Sequence, residues 1–403
     1  MYRTIKKFIC KFKQNQDKPR DARFELLRVI AMLLIVTCHV SMYLNQCLGV
    51  HTPRGLLVDA APISAMYHTV ADAGQIGVAI FFIITGYFCC KSTFKFNRII
   101  NVAAHTWLYS AIITLVYLSL YYFKLAPATA NEVINSSDGI NTILTTILPI
   151  SHNAYWFITS YIMLLICTPI INNAIKRFSR TQLIICTSAL LIISMIGTLL
   201  VSDPLTRILP NSIIMYLMGA SIRLCGDKIK LSNVKIIGLI LLGIILMILV
   251  NYIAALPNPP IVFKDILHSW LYTNGVQQIQ WLIGAGLFVL FMRAKPMVHN
   301  NITAKLIRIA GASTFGVYLL HEHKFLLLSI YNNINHLIDP IVETWRGSLK
   351  LLVLIGVGIA LFIVCAIIAI ICDHLFVNRV VKKLLSFKSV KRLCDKTDNL
   401  VNA

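Results

Sequence analysis

A chain of 403 residues that is 57% hydrophobic and only 13% charged, with mean hydropathy +0.75, has too few polar side chains to cover a water-exposed surface. Those values exclude a soluble globular domain and point to a protein of the bilayer. The net charge of +21 would suit a nucleic-acid binder, but the basic residues sit in short segments between apolar runs, so no nucleic-acid partner is expected.

Residues 1–23, opening MYRTIKKFICKFKQ, are basic and polar, with no apolar run and no small-residue cleavage site. They read as a cytoplasmic segment before an uncleaved first span. Ten apolar stretches follow, at about 24–43, 73–90, 101–122, 154–174, 182–201, 208–224, 234–254, 270–292, 306–321 and 350–372. With the N-terminus inside, 29 of the 37 lysines and arginines fall on inner segments and seven on outer ones. That asymmetry predicts both termini in the cytoplasm. The expected fold class is all-α: a polytopic membrane protein of about ten transmembrane helices, with one membrane domain over 24–372 and a basic cytoplasmic tail over 373–403. The outer loops, at 45–72, 123–153, 255–269 and 322–349, are the longer ones and hold most of the turn residues. The 11 cysteines lie mostly in spans and inner segments and form neither a disulfide framework nor a CxxC motif.

The first span, FELLRVIAMLLIVTCHVSMY, carries ionisable groups that a plain anchor would avoid. Glu25 and Arg28 stand at i and i+3, close enough to pair. Arg28 and His39 are 11 residues apart, three turns plus roughly 20°, so they share a face at depths about 16 Å apart. Holding such groups in a membrane costs a few kcal/mol or more, which marks them as functional candidates.

The second span ends in FFIITGYFCCKSTFKFNRII. Gly86 there permits a close helix contact or a backbone approach to a ligand. Lys91, Lys95 and Arg98 follow on the inner side, either as an ordinary topology loop or as a clamp for a phosphorylated ligand. Tyr155 and Trp156 open the fourth span, as members of an aromatic belt or as a stacking wall for a sugar. The ninth span delivers His321, Glu322 and His323 near the outer face, with His321 approaching the depth of His39. Two histidines there suit a proton relay, a catalytic pair or interfacial packing. Sequence spacing offers no third ligand for a metal, so none is expected.

Taken together, these segments resemble the acyltransferase 3 family of integral membrane O-acyltransferases. ARFELLRVIAMLLIVTCHV is similar to its opening span: Arg28 and His39 match an Arg-x10-His pattern, and Glu25 stands where the family more often has aspartate. FFIITGYF resembles the FFxxSGF/Y segment, with Thr85 for serine, and the basic residue that follows falls on Arg98. AYWFITSYIMLLICTPIIN resembles the Trp-bearing fourth span, and TFGVYLLH the late Tyr-Leu-x-His segment ending in His321.

The resemblance implies transfer of an acyl group, commonly acetyl, from cytoplasmic acyl-CoA to a hydroxyl of an envelope glycan or lipid-linked oligosaccharide at the outer face of the inner membrane. Acyl-CoA is then a donor substrate, and no bound cofactor is expected. His39 becomes the base or nucleophile, with Arg28 and Glu25 completing the catalytic set. A neutral imidazole suits either role, with an unperturbed pKa near 6.5. Arg98, Lys91, Tyr87 and Gly86 are expected on the donor side, and Trp156, Tyr155 and His321 on the acceptor side. The same intramembrane ionisable residues also suit a secondary transporter or glycolipid flippase, although no inverted repeat or paired helix break is visible.

Overall fold

The computed structural model describes residues 20–47, 61–200, 208–254, 256, 277–297, 301–327, 329–331, 333–334 and 347–402. Most of the basic N-terminal segment, residues 48–60 and 257–269 of the expected outer loops, and the start of the expected eighth span at 270–276 lie outside them. Among the described residues all regular structure is helical. Six helices are long and apolar enough to cross a membrane: Ala22–Tyr43, Ala65–Cys89, Phe96–Tyr122, Trp156–Arg177, Asn233–Ile253 and Leu351–Ser386. The stretches expected at 182–201, 208–224, 270–292 and 306–321 are helical over their described residues but fall below that measure.

In chain order the elements are α1 (Ala22–Cys47), α2 (Ala61–Asp72), α3 (Gly74–Cys89), α4 (Phe96–Tyr122), α5 (Ala128–Asn135) and α6 (Gly139–Ile147). Then come α7 (Trp156–Arg177), α8 (Arg180–Leu200), α9 (Ile208–Cys225), α10 (Asn233–Ala254), α11 (Gln277–Arg293) and α12 (Ile302–His321). The C-terminal part holds α13 (Gly347–Cys372), α14 (Asn378–Ser386) and α15 (Lys388–Asn402).

Two boundaries differ most from the sequence expectation. The second span starts earlier than residue 73, because Ala73 keeps helical angles (φ −60°, ψ −18°) and its N–H bonds to Thr69 O at 3.0 Å. Helix α2 therefore runs on into α3, and His68 and Asp72 belong to the span rather than to an outer loop. At the other end, α13 does not stop at Cys372. A π-helical turn, Asp373–Val377, carries it into α14, so the tail begins as a continuation of the last span. Tyr109 of α4 donates to Asp373 Oδ1 at 2.7 Å and fixes that turn.

Helices α1 and α3 form the centre. Helix α3 packs on α1, α9 and α11, while α1 also packs on α12 and α13. In lipid there is little hydrophobic drive between helices, so close backbone approach has to supply the contact energy. Gly86 and Gly219 do this for α3 and α9. A Cβ on Gly86 would collide with the carbonyl of Tyr216, and one on Gly219 with that of Ile83. Outward faces of α10 and α13 stay apolar, through Leu239, Leu242, Ile245, Ile363, Val364 and Ile367, as a lipid-facing surface requires.

The α1–α3 pair is antiparallel, which sets the geometry of everything else. Phe24 near the start of α1 packs edge-to-face on Phe88 near the end of α3, with ring centroids 5.1 Å apart. At the opposite end, a Cβ on Gly74 would lie 2.6 Å from Cys38, the neighbour of His39. Helix α12 runs parallel to α1, with Gly311 beside Glu25 and His321 beside His39.

Candidate active site

The ionisable residues of α1 divide between its two ends. At the start, Glu25 is fully buried, hydrogen-bonded by Arg28 and 3.7 Å from the guanidinium of Arg20. An unpaired carboxylate in this setting would be costly, so the arginines are what permit it. Its side chain lies where Gly311 leaves room, because a Cβ on Gly311 would strike Glu25 Oε2. Sequence spacing paired Glu25 with Arg28; the seat on Gly311 is a tertiary contact that spacing did not reveal.

At the other end, the histidine protons follow from the bonding. His321 is fully buried, and its Nδ1 lies 2.7 Å from Val317 O. A carbonyl only accepts, so Nδ1 carries the hydrogen and Nε2 of neutral His321 presents a lone pair. That lone pair is 3.0 Å from His39 Nδ1, which must therefore be the donor. Neutral His39 is then protonated on Nδ1 and has a free lone pair on Nε2, the state a general base or nucleophile needs. Glu322 Oε1 lies 2.9 Å from the same His39 nitrogen and has no aligned hydrogen bond of its own among the described residues. A carboxylate so placed favours the positive charge that appears when Nε2 takes up a proton.

Glu322 is the residue that reading the sequence left unassigned. It was visible beside His321, but no linear spacing joins it to His39. It also supplies the third potential metal ligand that the spacing did not show: one ligand atom each from His39, His321 and Glu322 lies within 4.8 Å of the others. The 2.9 and 3.0 Å separations are those of hydrogen-bonded atoms. Two ligands around one zinc, at about 2.0–2.1 Å each in tetrahedral geometry, would stand somewhat farther apart.

Buried aromatics hold this end rigid. Tyr155 is 2% exposed, donates to Leu319 O at 3.2 Å and packs on Tyr318, whose ring lies edge-on to His321. Trp156 is half-buried, with its ring edge-to-face on Phe157. Of the three residues expected on the acceptor side, only His321 touches His39; Tyr155 supports the α12 strap behind it. His323 fixes the turn beyond α12 by donating from Nε2 to Ser110 O at 3.3 Å.

Beyond the far end of α3, a cavity of about 630 Å³ opens. One wall is the 89–95 turn and the start of α4, carrying Lys91, Lys95 and Arg98; the other is the end of α7, from Leu165 to Lys176. Pro169 sits inside α7 there and leaves Leu165 O without its helical donor; the Thr168 hydroxyl donates to that oxygen at 2.7 Å. Asn172 ties the floor together, donating to Cys89 O at 3.0 Å and accepting from Tyr216 at 2.7 Å. Arg98 donates to Ser92 Oγ at 3.2 Å. Among the described residues, no carboxylate pairs with Lys91, Lys95, Arg98 or Lys176.

The four residues expected on the donor side thus separate. Arg98 and Lys91 line the cavity. Gly86 serves the α3–α9 crossing, and Tyr87 lies among Phe24, Phe88 and Phe288. Arg223 of α9, not singled out from sequence, donates to Tyr87 Oη at 2.9 Å and lies 4.8 Å above its ring.

A family model described as an acyltransferase domain matches residues 21–373, a range that contains both the histidine pair and most of the cavity wall. The chain belongs to the acyltransferase 3 family. Searches of the curated proteins and of the solved structures each returned no match. Family membership and the six apolar helices make this a multi-pass membrane protein with an acyltransferase assignment.

Proposed function

We propose that this acyltransferase moves an acyl group, acetyl in the simplest case, from acyl-CoA on the cytoplasmic side to a glycan or lipid-linked hydroxyl reached from the outer side of the inner membrane. The reading uses ten spans with both termini inside, as the distribution of basic residues suggests. The observation that carries it is the geometry at His39: its Nδ1 lies 3.0 Å from His321 Nε2, whose own Nδ1 is 2.7 Å from Val317 O, and a carboxylate oxygen stands 2.9 Å from the same His39 nitrogen.

In this reaction His39 Nε2 removes the proton of the acceptor hydroxyl as its oxygen attacks the thioester carbonyl. The tetrahedral intermediate collapses with cleavage of the C–S bond, and the proton passes to the departing thiolate to give ester and CoA. Glu322 stabilises the transient imidazolium, and His321 holds the ring in the productive tautomer. Arg98, Lys91 and their neighbours hold the donor phosphates in the basic cavity, a task suited to charge-assisted hydrogen bonds. Arg28 and Glu25 maintain the polar start of α1 between that cavity and the histidines. The family assignment favours group transfer over transport by the same residues.

The test is turnover by purified protein in liposomes given acyl-CoA and a glycan or glycolipid acceptor, following both CoA release and acylated product. Acceptor-dependent turnover supports the proposal. Delivery of acceptor across the membrane without consumption of acyl-CoA would replace it with the transport reading.

A further inference from the structure

Helix α15 lies outside the family match, which ends at residue 373, yet it is built into the wall of the basic cavity. Val401 and Asn402 line that space together with Lys91, Lys95, Arg98 and Lys176. The attachment is specific. The Asn402 side chain accepts from Phe94 N and donates to Phe94 O, both at 3.1 Å, so one amide satisfies both polar groups of that residue's backbone. Four residues earlier, Asp398 Oδ1 accepts from Phe96 N at 2.7 Å.

The second contact answers a local need. The first N–H groups of a helix have no partner inside it, and a side chain at the N-cap usually supplies one. Helix α4 has Lys95 at that position, which makes no such bond. Asp398, 302 residues away in sequence, caps the helix instead, and its negative charge also suits the positive end of the helix dipole. The segment held in this way, 94–96, contains Lys95 and lies between Lys91 and Arg98, the other two cations on this wall of the cavity.

We propose that α15 is part of the donor-binding site: Asp398 and Asn402 position the 91–98 segment so that its cations form a preorganised cradle for the phosphates of acyl-CoA. This rests on the reading that the basic cavity takes the donor. Asp398 and Asn402 act here as positioning residues. An ordered cradle binds more tightly because less side-chain and loop freedom is lost on binding.

The test compares Asp398→Ala/Asn402→Ala with wild type, Arg98→Ala and the conservative Asp398→Asn, all as full-length protein in detergent. CoA is the probe in calorimetry, and steady-state assays give KM for donor and acceptor. Cys394 lies on the buried face of α15 itself, so maleimide labelling followed by peptide mass spectrometry reports whether the helix has undocked. The double variant should expose Cys394 and raise the CoA Kd and the donor KM roughly three- to tenfold, leaving kcat and the acceptor KM unchanged. Asp398→Asn, which retains an oxygen for the cap, should restore most of the affinity.

If Arg98→Ala weakens CoA binding while the double variant, with Cys394 labelled, binds CoA as wild type does, the role of α15 is overturned and the cavity reading stands. If neither variant changes CoA binding, the cavity is not the donor site and both readings fall. Should Cys394 stay protected in the double variant, the chain shortened after Ser386 removes the helix outright. Unchanged CoA affinity in that protein overturns the proposal as well.

Discussion

The two ends of α1 are built on different principles. Around His39, the partner ring and the residues that support it are buried and held by backbone carbonyls: His321 by Val317 O, Tyr155 by Leu319 O, His323 by Ser110 O. Around the cavity, the candidate ligands are long cations on an open turn, with a floor of amides and hydroxyls. Bond rearrangement tolerates errors of a few tenths of an ångström, whereas holding a large anion requires charge in about the right place. One end is therefore expected to fail completely on a single substitution, and the other to weaken by degrees.

The largest effect should come from His39. Both His39→Ala and His39→Gln should lower turnover by about 10²–10⁴-fold at unchanged folded yield, since neither side chain provides the base. Near-normal turnover in the alanine variant would transfer the role to another group, with His321 the first suspect. Next, Glu322→Gln keeps the shape and removes the charge. It should reduce kcat about ten- to a hundredfold, the worth of a charge-assisted contact of about 1.5–3 kcal/mol, with donor KM unmoved. A change confined to KM would show that Glu322 binds substrate rather than supporting the imidazolium.

At the cavity the same arithmetic applies to a different parameter. Arg98→Ala should raise donor KM by about ten- to a hundredfold and leave kcat nearly intact; a fall in kcat alone would erase the contrast between the two ends. Sidedness gives the last and purely qualitative check. With Cys47 replaced, Asp138→Cys should react with an impermeant thiol reagent in intact cells and Lys228→Cys should not. Reversed labelling would exchange the donor and acceptor faces.

How much of this was legible in sequence follows from where each contact lies. The Glu25–Arg28 pair and the shared face of Arg28 and His39 depend on helical spacing alone, so the first span disclosed them. The approach of His39 to His321 crosses 282 residues and was inferred only from similar depth. The charge partner, Glu322, follows His321 directly in the chain, yet its partner is on another helix. Gly86 had two readings, ligand approach or helix crossing, and only the carbonyl of Tyr216 opposite it favours the crossing. The early start of the second span was hidden because the stretch 45–72, with Pro62 in it, read as an outer loop, while the backbone at Ala73 remains helical. The cap from Asp398 to α4 could not be read at all, since nothing in a basic tail signals that one of its few acids caps the start of a distant helix.

The parallel contact of α1 and α12 has a mechanical consequence. The two helices are pinned at two levels: Glu25 in the notch left by Gly311, and His39 against His321. Sliding one helix past the other by a single turn, about 5.4 Å, would drive the carboxylate into the neighbouring backbone and pull the imidazoles out of bonding range at the same moment. A machine that alternates between faces needs at least one sliding or rocking seam, and this seam is bolted. Any rocking motion in this fold therefore has to carry α1 and α12 together as one body, with both pins intact.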